Sequence, residues 1–410
     1  MTLRRLLHTH PARILQPLIG LALVLANLVP ALAQEEEFNI QSSADYRYGS
    51  EVTFWAQIAA SAATSQAAVF IRVEGSSDTV VLYASLAPGT PSTAQAVYDL
   101  RTASLPPFAS IEYWWQVDLV DGRSQTTQPL LFEYVDNRFD WHTLEAAPLS
   151  LHWASGDLLF GQAALDIAVR ALNRISRDLA APSPSHLDIY IYPGLGDLQA
   201  GLRLGGRTWA GGHADPDLGV VLLAVPPGPE SRPALENALP HELTHVLLFQ
   251  RMGAGYTDLP TWLNEGLATL EESAPDPAPR VALEDASARD QLLPLSTLCS
   301  PFATSGPEAL LAYGQSASLV QYLRDVYGSG AIAALIDAYQ EGATCLGGLQ
   351  RVLRRTPEQL QSEWASSAGT GLDALAKIRP LLPWLLLLVP AVLLAACGAL
   401  LARRREGGTP

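Results

Sequence analysis

Residues 241–245 read HELTH, and their types and spacing suit the binding of a metal ion. In a helix, positions four apart lie on the same face one turn apart. His241 and His245 can therefore present two imidazole nitrogens to one ion, at the roughly 2.0–2.1 Å that zinc takes from nitrogen. Glu242 is one step round the helix, beside the ion without ligating it, where a carboxylate can take a proton from an activated water. Two imidazoles need a third protein ligand. The stretch PTWLNEGLATLEE at 260–272 supplies a carboxylate, Glu265, on a second amphipathic segment. Thr269, one turn beyond Glu265, is placed to accept a hydrogen bond from the free N–H of a ligand histidine. The expected cofactor is one Zn2+ per chain.

These residues need two packed helices. The run ALENALPHELTHVLLFQRM predicts one of them, ending near Gly253, with Leu243, Val246 and Leu247 as a face for burial. Pro240 removes one helical hydrogen bond and crowds the carbonyl of Glu236, so the helix is expected to begin or bend there. Upstream, LSLHW, LDIYIY and GVVLLAV read as strands and DLLFGQAALDIAVRALNRISRDLA as a helix, while the chain to about residue 372 is mostly helical. A small mixed sheet followed by helices is an α+β layout, expected over residues 138–372. Residues 34–137 differ. VTFWAQI, AAVFIRV, TVVLYA, AVYDL, IEYWWQVDLV and LLFEY are short apolar or alternating runs separated by turn clusters, which predicts an all-β sandwich of immunoglobulin or fibronectin type. Trp114 and Trp115 are adjacent and must face opposite sides of their strand, one in the core and the other outside, where packing or carbohydrate binding could use it.

HELTH followed by WLNEG resembles the gluzincin (thermolysin-like) zinc metallopeptidases, and most of all the peptidase MA-like branch related to aminopeptidase N. The resemblance covers roughly residues 145–370. It implies peptide-bond hydrolysis, with His241, His245 and Glu265 as metal ligands and Glu242 as general base. Nineteen residues separate His245 from Glu265 where that family has one fewer, so the connection through Gly253 and Gly255 must absorb the extra residue. LAYGQSASLVQYLRDVYG at 311–328 is similar to the family segment carrying a tyrosine that stabilises the tetrahedral intermediate, which makes Tyr313 the oxyanion donor. Glu271 matches a family acid that follows the ligand. The stretch around His213 matches the edge strand on which substrate backbone lies, with Gly211 and Gly212 allowing close approach. The Gly-x-Met-Glu-Asn segment with which aminopeptidases grip a free amine is missing from the sequence, so the resemblance does not extend to aminopeptidase activity.

Both ends of the chain are basic and apolar. Residues 1–33 carry Arg4, Arg5 and Arg13 before an apolar run closing on Ala31-Leu32-Ala33, a signal-peptide pattern, with an uncleaved anchor as the alternative. Residues 380–402 are free of charge and long enough to span a bilayer as a helix, and Arg403 to Arg405 open a short tail, 403–410, expected on the cytoplasmic side. The expected partners are a peptide or protein substrate and the plasma membrane, through a single transmembrane helix with the bulk of the chain outside. The formal charge is −15, and with both ends basic the part between is more acidic still, which argues against nucleic acid. Cys397 falls in the apolar run. Cys299 and Cys345 fall in the exported part, where thiols oxidise, and are expected to pair. Two other readings of the same residues are a non-catalytic zinc-containing surface module and a wall-polymer binder acting through the β domain.

Overall fold

The computed structural model describes residues 38–204, 212–216, 218–303 and 305–378. The expected signal sequence at 1–33, the apolar run at 380–402 and the expected tail at 403–410 lie outside them, and among the described residues no helix is long and apolar enough to cross a membrane.

The first region is β throughout. Its strands are β1 (Asn39–Arg47), β2 (Glu51–Ala59), β3 (Thr64–Val73), β4 (Val80–Tyr83), β5 (Ser85–Ala87), β6 (Ser92–Asp99), β7 (Ser110–Leu119), β8 (Ser124–Thr126) and β9 (Leu130–Glu133). They form two antiparallel sheets, β1-β2-β6-β5 and β4-β3-β7-β8, with β9 also paired to β7. Alternation closes the space between them: Val52, Phe54, Ala56 and Ile58 of β2 face Val69 and Ile71 of β3 and Ile111, Tyr113, Trp115 and Val117 of β7 in one core. Trp115 is the buried member of the tryptophan pair. Trp114 lies on the outer face, where Phe70 stacks on it at 5.4 Å and Arg72 sits over its ring at 5.1 Å. With these neighbours on its ring, Trp114 is a packing residue rather than an open platform for a sugar.

The second region opens with β10 (His142–Ala146), β11 (Leu149–Trp153), α1 (Leu158–Asp178), β12 (Leu187–Tyr192), α2 (Leu195–Leu204), β13 (Gly212–Asp215) and β14 (Val220–Ala224). Their sheet runs β10-β11-β12-β14-β13, parallel through β11, β12 and β14 and antiparallel at both edges. Helices follow: α3 (Ser231–Met252), a 3-10 turn (Gly253–Asp258), α4 (Thr261–Glu271), α5 (Pro277–Ala288), α6 (Pro307–Tyr327), α7 (Ser329–Gln340), α8 (Cys345–Leu353) and α9 (Pro357–Ile378). One face of the sheet, through Leu151, Ile189, Ile191, Val221 and Leu223, packs with α1 and α3. The other face, through Tyr190, Tyr192, Val220 and Leu222, packs against Phe108 of the first region. At that seam the fully buried Asp136 accepts hydrogen bonds from Arg138 (2.5 Å) and Tyr192 (3.0 Å), and the Tyr48 hydroxyl donates to the Gly201 carbonyl at 3.2 Å. Arg138 stays with Asp136 as its near neighbour in sequence, while the Tyr192 hydroxyl reaches it from the sheet, so a shift of the sheet would cost the buried carboxylate one of its donors.

Cys299 and Cys345 are joined, tying a 3-10 turn at Thr297–Cys299 to the start of α8. Closing that 46-residue separation stabilises the fold by roughly 4 kcal/mol in the chain-entropy account.

Pro240 does not start its helix, one of the two outcomes expected from the sequence: α3 begins at Ser231 and continues through it to Met252. The carbonyl of Glu236, which loses its helical donor to the proline, accepts instead from the backbone N–H of Ser273 at 3.0 Å, just beyond α4. The next amide, Ala274, donates to the Asn237 side chain at 3.1 Å. The cost of a mid-helix proline is thus offset by bonds between the two helices that carry the motif.

Candidate metal centre

α3 buries Leu235, Leu239, Leu243, Val246 and Leu247 in the core, which turns His241 and His245 towards α4. α4 buries Trp262, Leu263 and Leu267 and presents Glu265 to the histidines. Gly266 lets α4 lie close against α6. A Cβ there would lie 2.6 Å from the Ser316 carbonyl oxygen of α6. The His241 and His245 rings are 5.0 Å apart, and one oxygen of Glu265 lies 3.5 Å from Nε2 of His241 and 3.8 Å from Nε2 of His245. All three donor atoms fall within 4.8 Å of one another. Two ligands about 2.1 Å from a tetrahedral ion would be about 3.4 Å apart; the two Glu265 distances are close to that, and a donor set spread over up to 4.8 Å would have to contract around zinc.

The far nitrogens are also held. Nδ1 of His241 lies 2.9 Å from a Glu272 carboxylate oxygen, and Nδ1 of His245 lies 2.9 Å from Oδ1 of Asn264. Both partners accept, so both Nδ1 atoms carry the proton and both Nε2 atoms are left to face Glu265. Glu242 is buried on the same turn. Burial raises its pKa against the pull of His245 and His241, and the backbone N–H of Ala214, on edge strand β13, donates to it. Burial also opposes ionisation of Glu265, but the two imidazoles outweigh it and hold that carboxyl below its usual range. Two neighbouring carboxyls are thus pushed apart, one towards proton uptake and the other towards permanent charge, which is the split that separates a base from a ligand.

Residues 167–369 match the Peptidase MA superfamily. The match takes in α3, α4 and α6 and leaves out the β-rich region, so the chain is a β-rich region followed by a helical peptidase-MA-like domain. No curated protein matches the chain. Among solved structures it is similar to an aminopeptidase N family protein from Idiomarina loihiensis, with 8% identity and a TM-score of 0.36 over 77% of this chain and 73% of that one. It is also similar to a purple acid phosphatase from yellow lupin (Lupinus luteus) seeds, with 7% identity and a TM-score of 0.22 over 47% of this chain and 36% of that one. The chain thus spans about a third of the phosphatase's length. Neither likeness is close enough to carry an argument.

In the peptidase-MA-like domain Tyr313 sits on α6, its ring edge-on to Phe302 at 5.4 Å. Burial, followed by the charges of Glu265, Glu242 and Glu272, drives its hydroxyl pKa far up, so the phenol stays a proton donor facing this carboxylate cluster. Two of the expected bracing residues lie elsewhere. The Thr269 hydroxyl is buried with no hydrogen-bond partner, so it does not accept from a histidine. Glu271 is turned to Arg174 of α1 (3.1 Å) and Arg324 of α6 (3.4 Å), a structural ion pair among three helices. The acid that reaches His241 is the next one, Glu272. It stands seven residues, two turns, after Glu265 and so shares its face, whereas Glu271 is a step back round the helix. Asn264 and Tyr256 also escaped the sequence reading. Asn264 shows only as the residue before the ligand, and Tyr256 sits in the connection with no spacing to mark it. Of the substrate strand, β13 begins at Gly212 and forms the sheet edge next to α3, while Gly211 lies outside the described residues.

Proposed function

We propose that the chain is a zinc-dependent peptidase of the HExxH…Glu type, carried outside the cytoplasm and held at the membrane by residues 380–402. The observation that carries this reading is the convergence of His241, His245 and Glu265 beside a buried Glu242. Zinc in such a site supplies Lewis-acid activation of water and of the scissile carbonyl. The remaining steps belong to side chains. His241 and His245, with Nδ1 protons fixed by Glu272 and Asn264, offer Nε2 as neutral ligands, and Glu265 adds the negative charge. Glu242, with its raised pKa, takes a proton from the attacking water and returns it to the leaving amine. Tyr313 donates its hydroxyl proton in a hydrogen bond to the oxygen that becomes negative, a contact stronger in the transition state than in the ground state. The free edge of β13 would align an extended peptide by backbone pairing.

The test is metal content by elemental analysis and turnover of a peptide library, for the wild-type chain, Glu242→Gln and His245→Ala. The expected result is about one zinc per chain in wild type and Glu242→Gln, and its loss in His245→Ala. Turnover should fall by about 10²–10⁴ in Glu242→Gln, the usual contribution of a positioned base. Equal turnover in wild type and Glu242→Gln would end the mechanism. Zinc without turnover in any form would favour the non-catalytic surface module.

A further inference from the structure

The connection between the two ligand-bearing helices is one residue longer than the spacing it resembles, and it is built rather than slack. Gly253–Asp258 forms a 3-10 turn packed against α7, so closely that a Cβ on Gly255 would lie 3.0 Å from the backbone of Gln340. The Gln340 side chain donates to the last carbonyls of α3, Arg251 at 3.3 Å and Met252 at 3.2 Å. From this turn Tyr256 packs edge-on against Phe249 of α3, with ring centroids 5.7 Å apart. Its hydroxyl oxygen accepts from Nδ2 of Asn264 at 3.1 Å, and Oδ1 of the same amide meets Nδ1 of His245 at 2.9 Å.

We propose that Tyr256 is a positioning residue for His245, acting through Asn264 to fix which imidazole nitrogen is free for the metal. This rests on the reading of His245 as a zinc ligand. The two ends of a carboxamide are nearly equal in size, so only its hydrogen-bond partners decide which end faces which way. With Tyr256 accepting from Nδ2, the amide oxygen faces His245. Nδ1 must then carry the proton, and the Nε2 lone pair points at Glu265. If the amide turned over, its NH2 group would face Nδ1 and make it an acceptor. The proton would move to Nε2 and occupy the metal's place. That turn would also oblige the Tyr256 hydroxyl to reverse from acceptor to donor, so the bond it accepts from Nδ2 holds the amide in the arrangement that leaves Nε2 free.

The experiment measures the zinc dissociation constant of the full chain by competition with a chromogenic chelator, without substrate. The variants are Tyr256→Phe, Asn264→Asp and the double variant. Tyr256→Phe should weaken zinc binding about tenfold, the lower end for loss of an outer partner of a metal ligand. In Asn264→Asp both ends of the side chain accept, so the tautomer of His245 no longer depends on Tyr256, and adding Tyr256→Phe should change the constant little. A role in packing alone would cost the same in both backgrounds. The proposal is overturned if Tyr256→Phe binds zinc like wild type, or if its effect persists undiminished in the Asn264→Asp background. A wild-type chain that holds no zinc would remove this inference together with the function it rests on, whereas the other two outcomes remove this inference alone.

Discussion

Gly266 is where helix packing and metal geometry meet, and replacing it with alanine separates the two influences by the sign of the result. Taken as a helix-interior position alone, Gly→Ala should stabilise by about 0.5–1 kcal/mol, because alanine loses less backbone entropy on folding. The structure demands the opposite. The new Cβ would lie 2.6 Å from the Ser316 carbonyl oxygen, 2.8 Å from its carbon and 2.7 Å from a methyl of Val320. The valine can rotate, but the Ser316 backbone cannot move without α6. An ordinary contact of about 3.4 Å or more requires the helices to separate by roughly 0.8 Å at that point. Overpacking of this kind costs about 1–3 kcal/mol, which outweighs the propensity gain. For a domain of this size, the melting midpoint should drop by a few degrees to about ten. The neighbour of Gly266 in sequence is Glu265, and a bound metal needs its ligand distances within about 0.2 Å of their ordinary values. Zinc affinity should therefore fall at least tenfold. The assays are calorimetric melting of the metal-free chain and chelator competition for zinc. Gly330→Ala serves as control, because Gly330 lies in α7 with nothing within 4 Å of the added carbon. Its midpoint should hold or rise. A Gly266→Ala chain that melts at or above wild type and keeps its zinc would refute the close approach of α4 and α6 as the device that sets Glu265.

Two further outcomes follow from the site. Tyr313→Phe should keep zinc and KM near wild type while lowering kcat by about 10²–10³, the usual loss for one oxyanion donor, and an unchanged kcat would remove Tyr313 from the mechanism. Without metal, burial works against a charged His241, but hydrogen bonds to Glu265 and Glu272 prevail and raise its pKa to about 10. A folded-state pKa above the unfolded value of about 6.5 gives stability that is complete below pH 6.5 and lost as pH rises to about 10. The melting midpoint of the chelated chain should fall across that window, and zinc loading at pH 8 should release a proton, read by titration calorimetry in two buffers of different ionisation enthalpy. Loading without proton release would show that His241 is neutral before the metal arrives.

The parts of the fold that the sequence revealed were those where one periodicity governs one burial pattern. β2, β6 and β7 alternate cleanly because each has one face in the core. β1, NIQSSADYR, escaped because it is an edge strand with no fully buried residue, so its hydrogen bonds and not its hydropathy make it a strand. The three residues of the candidate metal site, His241, His245 and Glu265, could be found in the sequence because a helix converts a spacing of four into a shared face, and because Glu265 stands in a motif. Their braces could not. Asn264 and Glu272 depend on how α4 is rotated against α3, which no single-helix pattern encodes, and the choice of Glu271 failed by one residue for that reason. Tyr256 reaches the site from a connection packed against Gln340, at the far end of α7.

The proline in α3 has a consequence for how the molecule opens. A helix with all its own bonds can fray without regard to its neighbours. Here the Glu236 carbonyl has exchanged a donor within the helix for the amide of Ser273. Separating the end of α4 from α3 therefore takes the donor from a backbone acceptor in the middle of the helix that carries HELTH. The two helices consequently open as one cooperative unit, and amide hydrogens at the α4 exit, Ser273 and Ala274, exchange with solvent in step with those around His241. Parting α4 from α3 is therefore expected to take Glu265 away from His241 and His245 together.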